Sequence, residues 1–351
     1  MFKNMMSIFD PPVLVSTSPP IYRAISFSTQ RSDDTNHYLY GPGSAHDLVV
    51  IEKVSRILQI AKLAPWTSPA PPITSQPSLR VAKVRGKGLG LLTTKALSPG
   101  STICRELPLV LYLERGVSVQ LREADQLVRD AVEALSPASL AAFRALHNAV
   151  PTQHLDYGIR LTNGIGISGA RSLPALVDLG GVFATLSRAN HSCCPNSYFR
   201  FDEITLEGCV VAAAPIEQGH EVTVGYVDSL APGDERRRIL LEHYYFNCVC
   251  PSCSLDEEGK KRSDERRARI KEFRDTAHGS RATLDLKPRE LVRYLEGILD
   301  DVEREGMEIY LERVLKAGLR ASMAAGDGEQ VERWAKRVSE LTSGGGEAEL
   351  G

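Results

Sequence analysis

Nothing in this sequence approaches the roughly 20 consecutive apolar residues that a membrane-spanning helix needs. Its apolar runs are short and interrupted, so no membrane partner is expected. Nor does charge of either sign dominate. Lys and Arg number 42 against 44 Asp and Glu, a net charge of -2, which is not the basic footprint of a nucleic-acid binder, and no direct nucleic-acid partner is expected. Cysteine is scarce and unevenly placed. Of seven, Cys104 stands alone, while Cys193, Cys194, Cys209, Cys248, Cys250 and Cys253 gather later in the chain. An odd, clustered set argues against a disulfide framework and for metal ligation in a reducing compartment.

Two further absences concern the glycine cluster Arg85-Gly86-Lys87-Gly88-Leu89-Gly90-Leu91-Leu92. Position 91 lacks the glycine that a dinucleotide fingerprint requires, and no Gly-Lys-Ser/Thr follows for a phosphate loop. The cluster therefore reads as a hairpin turn, or as a rim where main-chain N–H and C=O groups approach a small molecule closely.

With 351 residues, 42% hydrophobic and 25% charged, the chain can supply one large domain and an appendage. Residues 1–75 are rich in Pro, Ser and Thr and are expected to be mostly disordered. Arg23 and Arg31 precede most of the acids, but the amphipathic arginine pattern of a transit peptide is poor. Nucleus or cytoplasm is the expected compartment. Leu48, Ile51, Val54, Ile57 and Leu58 have helical spacing, which predicts a short docking helix within 48–63.

From Leu79 the texture changes to short strands joined by tight turns, through the glycine cluster and on to the apolar run at 108–113. Helical spacing interrupts them over 116–150, with Ser136-Pro137 opening a second helix. Strands resume at 165–167, 198–201, 206–214 and 222–226. Beyond the last cysteine the pattern is helical. Lys260 to Arg274 is charge-dense, its basic residues expected on a solvated face, and further helices are expected near 288–304, 307–325 and 328–342.

Chemistry concentrates in two places. Arg188-Ala189-Asn190-His191-Ser192-Cys193-Cys194-Pro195-Asn196 is too polar for a core strand and too short to act alone. Cys248-Val249-Cys250-Pro251-Ser252-Cys253 offers three thiols at turn spacing, suited to one tetrahedral zinc whose fourth ligand would come from Cys193 or Cys194. Four thiolates leave no open coordination position, so such a zinc is structural. A cysteine hydrolase built on Cys194 and His191 is disfavoured for want of an orienting partner.

Three ordered motifs, Asn190-His191-Ser192-Cys193-x-Pro195-Asn196, Gly219-x-Glu221-Val222-Thr223-Val224-x-Tyr226 and Cys-x-Cys-x-x-Cys, resemble the SET domain of protein lysine methyltransferases with its zinc-binding post-SET segment. The likeness covers roughly 79–255, with Arg85 to Gly90 as the first cofactor motif, and its texture is similar to SMYD and fungal-type SET proteins lacking the MYND finger. The resemblance implies an α+β, SET-type fold of short strands with a knot-like threaded active site. A SET domain at 79–230, with its helical insertion at 116–150, would be followed by a zinc segment at 231–255 and a helical lobe at 260–345.

It further implies S-adenosylmethionine held by Lys87, Gly88, Leu89, Asn190, His191, Tyr226 and Phe246. Tyr226 would be the catalytic residue, Tyr244 and Tyr245 would line the substrate channel, and one structural zinc would sit on Cys193, Cys248, Cys250 and Cys253. The partner would be a protein presenting a lysine, histone or not. His220 stands where the family usually has glutamate. That departure raises the alternative of a catalytically weak scaffold protein acting through the helical lobe.

Overall fold

The structure, a computed structural model, describes residues 26–27, 37–40, 49–52, 78–113, 128–133, 135–150, 154–168, 178–202, 205, 207–277 and 286–343. The chain divides into two compact units, one of residues 1–94, 102–190 and 199–210, the other of 95–101, 191–198 and 211–351. Each unit is described on its own.

The first unit holds a six-stranded sheet of order β1-β2-β3-β7-β9-β8. Its strands are β1 (Ser26–Phe27), β2 (His37–Tyr40), β3 (Val49–Glu52), β7 (Val110–Leu113), β8 (Ile165–Ser168) and β9 (Asp178–Val182). β3 runs parallel to β7, whereas β9 pairs antiparallel with both β7 and β8. The helix expected over 48–63 therefore begins as a strand. Val49, Val50 and Ile51 are β-branched, a residue type that favours strands over helices. The rest of that stretch lies outside the described residues.

Beside this sheet, β4 (Leu79–Val84) and β5 (Gly88–Thr93) form an antiparallel hairpin. β6 (Thr102–Glu106) joins a three-stranded sheet of order β11-β12-β6, where β11 is Ser197–Asp202 and β12 is Glu207–Ala212. Helix α1 (Pro137–Arg144) starts as the sequence predicts, with the Ser136 hydroxyl accepting from the Ser139 N–H. Helix α2 (Leu155–Asn163) was not expected. Both pack on β7 and β9 through Tyr112, Phe143, Leu146, Tyr157, Ile159 and Val182. Gly180 makes room for the Tyr112 ring, since a Cβ there would lie 2.4 Å from a ring carbon.

The second unit contains β13 (Glu221–Val224) and helices α3 (Gly233–Tyr244), α4 (Glu257–Ala277), α5 (Pro288–Glu305), α6 (Leu311–Ala325) and α7 (Gly328–Ser343). The last three occupy the stretches where helical spacing predicts them. α6 ends because Gly326 adopts a left-handed φ of 65° that a side chain would disfavour. The Gly318 backbone then receives the fully buried ring of Trp334 from α7. α4 departs from expectation: Arg267 is 0% exposed and Arg274 8%, so part of its basic face is core rather than solvated. No described helix is long and apolar enough to cross a membrane.

Candidate active site and metal centre

The polar stretch at 188–196 is delivered by a one-turn 3₁₀ helix at Leu186–Arg188. In the first unit the buried Glu106 carboxylate fixes that turn, its Oε1 accepting from the Thr185 and Leu186 N–H groups at 2.8 and 2.6 Å. Ser187 accepts from the Phe183 N–H at 2.9 Å and donates to the Asn163 carbonyl at 2.8 Å. Asn190 then leaves the turn into the two-residue strand β10 (Asn190–His191), its Nδ2 donating to the Leu89 carbonyl at 3.2 Å. The Lys87–Leu89 turn itself is open: Gly86 and Gly88 have φ of 75° and 80°, and Leu89 is 48% exposed. The structure thus brings Asn190 to the glycine cluster.

In the second unit the chain from His191 lies along β13. The Ser192 N–H donates to the Val224 carbonyl at 3.1 Å. Asn196 acts as a side-chain rung: its Nδ2 donates to the Glu221 carbonyl at 2.8 Å, and its Oδ1 accepts from the Thr223 N–H at 2.8 Å and hydroxyl at 3.2 Å. Ser197 adds a hydroxyl bond to the Thr223 carbonyl at 2.8 Å. These bonds fix β13, which ends two residues before Tyr226.

Tyr226 is buried, its ring 5.2 Å from Tyr244, 5.3 Å from His191 and 6.4 Å edge-on to Phe246. His191 and Phe246 complete the group at 6.1 Å. Burial, helped by Glu221, pushes the Tyr226 phenol well above its ordinary value. The hydroxyl therefore stays protonated at neutral pH and serves as a dipole rather than a base. Tyr244 donates its hydroxyl to the Tyr226 carbonyl at 3.2 Å. Tyr245 is different: it caps α3 with a left-handed φ of 59° and is 57% exposed, so Tyr244 alone of the two makes a ring contact with Tyr226.

His191 is 3% exposed. Nδ1 accepts from the Tyr226 N–H at 3.0 Å, which leaves the ring proton on Nε2, 3.3 Å from Cys193 Sγ. Both ring nitrogens are thus spent within the protein, and the imidazole links the aromatic cluster to the thiols.

Those thiols are Cys193, Cys248, Cys250 and Cys253, whose sulfurs all lie within 4.8 Å of one another. Cys193 and Cys253 approach to 3.6 Å. A tetrahedral zinc with bonds of about 2.3 Å has sulfur–sulfur edges of about 3.8 Å, so the donor set fits that ion. The crowding also disturbs their protons. Hydrogen bonding from Cys193 pulls Cys250 down strongly and Cys253 to about 7, whereas Cys193 itself is driven up, chiefly by Cys248. Sulfurs so close cannot all ionise without a cation to hold them.

Cys194, the other candidate for the fourth ligand, lies outside this set. Its sulfur sits 3.0 Å from Ser252 Oγ and accepts from Arg267 at 3.1 Å. His220 lies on a turn with its side chain 63% exposed, 3.5 Å from Glu217. Gly219-His220 therefore serves as a surface turn leading into β13.

Comparison with known proteins agrees with this arrangement. The SET domain family matches residues 88–227. Histone-lysine N-methyltransferase set5 of Schizosaccharomyces pombe is 29% identical over 54% of this chain and 55% of its own. Human histone-lysine N-methyltransferase SMYD1 is 28% identical over 46% of this chain and 32% of its own, and chicken N-lysine methyltransferase SMYD2 is 28% identical over 35% and 25%. The chain thus spans about half the length of the first of these relatives and a third or less of the other two. Residues 88–227 of this α+β chain are thus similar to the SET domain, and the relatives that share this likeness are named as lysine methyltransferases.

Proposed function

We propose that this chain catalyses transfer of methyl groups from S-adenosylmethionine to lysine side chains of a protein substrate. The observation that carries the reading is the aromatic cluster in which half-buried Tyr244 and Phe246 pack with buried Tyr226 and His191. The cofactor supplies an electrophilic methyl on a sulfonium. In this reading the main-chain groups of Lys87, Gly88 and Leu89 hold its amino-acid end, while Asn190 and the His191 backbone bind its polar edge. Phe246 packs on its adenine.

The difficulty of the reaction lies in the lysine. A solvated amine with pKa near 10.4 is neutral in only about 0.04% of molecules at pH 7, a cost of about 4.6 kcal/mol. An apolar aromatic wall disfavours the ammonium and so lowers that cost. Tyr226 and Tyr244 supply such a wall. The protonated Tyr226 hydroxyl orients the amine lone pair toward the methyl, so catalysis rests on alignment rather than proton transfer. Tyr245, exposed beside this wall, is assigned to the outer rim where the substrate backbone arrives.

Cys193, Cys248, Cys250 and Cys253 would hold one structural zinc. With four sulfur ligands it has no open position for substrate, and it ties the 191–197 segment to the segment after α3. No observation favours the scaffold alternative, since the departure that raised it, His220, lies on an exposed turn. The substrate is a protein lysine, histone or otherwise, and a nuclear or cytoplasmic site of action suits that reading.

The test is transfer of labelled methyl from S-adenosylmethionine to proteins of a cell extract by the zinc-loaded chain. Labelled lysine is expected, and Tyr226→Phe should lower kcat at least tenfold with cofactor affinity nearly unchanged. A chain that fails to bind S-adenosylmethionine in calorimetry overturns the reading. Full labelling by Tyr226→Phe overturns the role given to that residue.

A further inference from the structure

Arg267 on α4 is completely buried in the second unit. A guanidinium is tolerated there only when its charge is paired and its five N–H donors are used. All five are engaged. Nε donates to Glu305 Oε2 at 2.8 Å and to Ser263 Oγ at 3.2 Å. Nη1 donates to the carbonyls of Cys193, at 3.0 Å, and Ser229. Nη2 donates to Cys194 Sγ at 3.1 Å and Ser252 Oγ at 2.9 Å. Glu305 is held in turn by the Ser263 hydroxyl at 2.6 Å and by Arg266 at 2.7 Å.

The acceptors outside α4 belong to four separate parts of the chain, and their identity is informative. Cys193 is one of the four clustered thiols, and Ser252 lies in the turn between Cys250 and Cys253. Ser229 follows closely on Tyr226, and Glu305 ends α5. A planar fork fixes the relative placement of its acceptors in a way a flexible ammonium does not. One rigid group thus holds both arms of the thiol cluster and ties them to α4 and α5.

We propose that Arg267 is a positioning residue for the metal centre, holding the Cys193 turn and the Cys250–Cys253 turn in the register where the four sulfurs converge. The proposal rests on reading those thiols as a zinc site. It gives the helical lobe a task in the chemistry of the site, because α4 and α5 become part of its supporting frame. It also accounts for Cys194, whose sulfur is an acceptor for the fork rather than a metal ligand. Groups that orient ligands from outside a metal site typically change metal affinity about 10- to 100-fold when removed.

The experiment uses the full zinc-loaded chain and follows zinc transfer to a chromophoric chelator. The sulfur-to-metal absorption of the cobalt-loaded chain gives a second readout. In Arg267→Lys, zinc release should accelerate by about tenfold or more, and the cobalt band should shift or weaken. Cys194→Ala and Ser252→Ala each remove one Nη2 acceptor and leave the Arg267–Glu305 ion pair intact, Cys194→Ala also giving up the thiol's bond to the Glu305 carbonyl at 3.0 Å, and both should release zinc a few-fold faster. If Arg267→Lys does not fold, these two decide the matter. Release within twofold of the parent in every folded variant, with an unchanged cobalt band, overturns the proposal. A parent chain that takes up no zinc overturns the metal reading and this proposal with it.

Discussion

Replacing Glu106 with Gln should remove a pH dependence of stability that the native carboxyl imposes. Glu106 is 3% exposed, and its Oε2 has no hydrogen-bond partner among the described residues. Burial raises its pKa from 4.5 to about 7, against the opposing effect of the Leu186 and Thr185 N–H groups. Below the unfolded pKa both states are protonated and burial carries no ionic cost. Between 4.5 and about 7 the unfolded chain releases the proton and the folded one keeps it, so stability falls as pH rises. Above that window both are ionised and the full cost is present. At 1.36 kcal/mol per pH unit the total is roughly 3 kcal/mol. Gln keeps an acceptor for the Thr185 and Leu186 N–H groups and cannot ionise. Urea denaturation of parent and variant, followed by circular dichroism from about pH 4.5 to pH 8, should give a stability difference that moves by roughly 3 kcal/mol in favour of Gln. Parallel pH profiles would refute the assignment. The same experiment bears on function, since Glu106 fixes the turn that delivers Asn190.

Asn196→Ala removes the three side-chain bonds to Glu221 and Thr223 and should destabilise the protein by roughly 2–3 kcal/mol, and Asn196→Asp, which keeps the acceptor for Thr223 but sets a carboxylate oxygen against the Glu221 carbonyl, should also destabilise it. Chemical denaturation checks both. In the helical lobe, Gly318→Ala places a Cβ 2.4 Å from the Trp334 ring. Overpacking there should outweigh the helix-propensity gain of about 1 kcal/mol, for a net loss on the order of 1–2 kcal/mol read as a lower Tm.

Much of the candidate site was legible because its chemistry is local in sequence. Cys248, Cys250 and Cys253 announce a thiol turn by spacing alone, and the polar run at 190–196 announces that it needs partners. Tyr226, Tyr244 and Phe246 follow from the motifs around them. The orientation of side chains was not legible. Nothing in the residue type says that both nitrogens of His191 are taken, by Cys193 and by the Tyr226 backbone, or that Tyr245 turns outward while Tyr244 turns in. Nor does spacing distinguish Val49–Glu52 as a strand from the first turn of a helix, because that choice is settled by pairing with Val110–Leu113 far along the chain.

The basic residues of α3 and α4 give the most general reason. A helix reads as amphipathic when apolar residues mark its inner face. In α3 the buried residues are Gly233, Arg236 and Leu240, so the inner face carries an arginine and the apolar period is lost. In α4 the inner face carries Arg267 and Arg274. Charged side chains are seldom fully buried unless paired, so a sequence reading rightly assigns them to solvent by default. The pairing that overturns the default comes from Glu305 for Arg267 and from Asp228 for Arg274, residues 38 and 46 positions away. Such partners leave no periodic trace, because an ion pair needs one acceptor at one place, not a stripe. A charge-dense helix that follows a thiol cluster in sequence is therefore better judged by whether distant, otherwise unexplained acids can reach it than by its own composition.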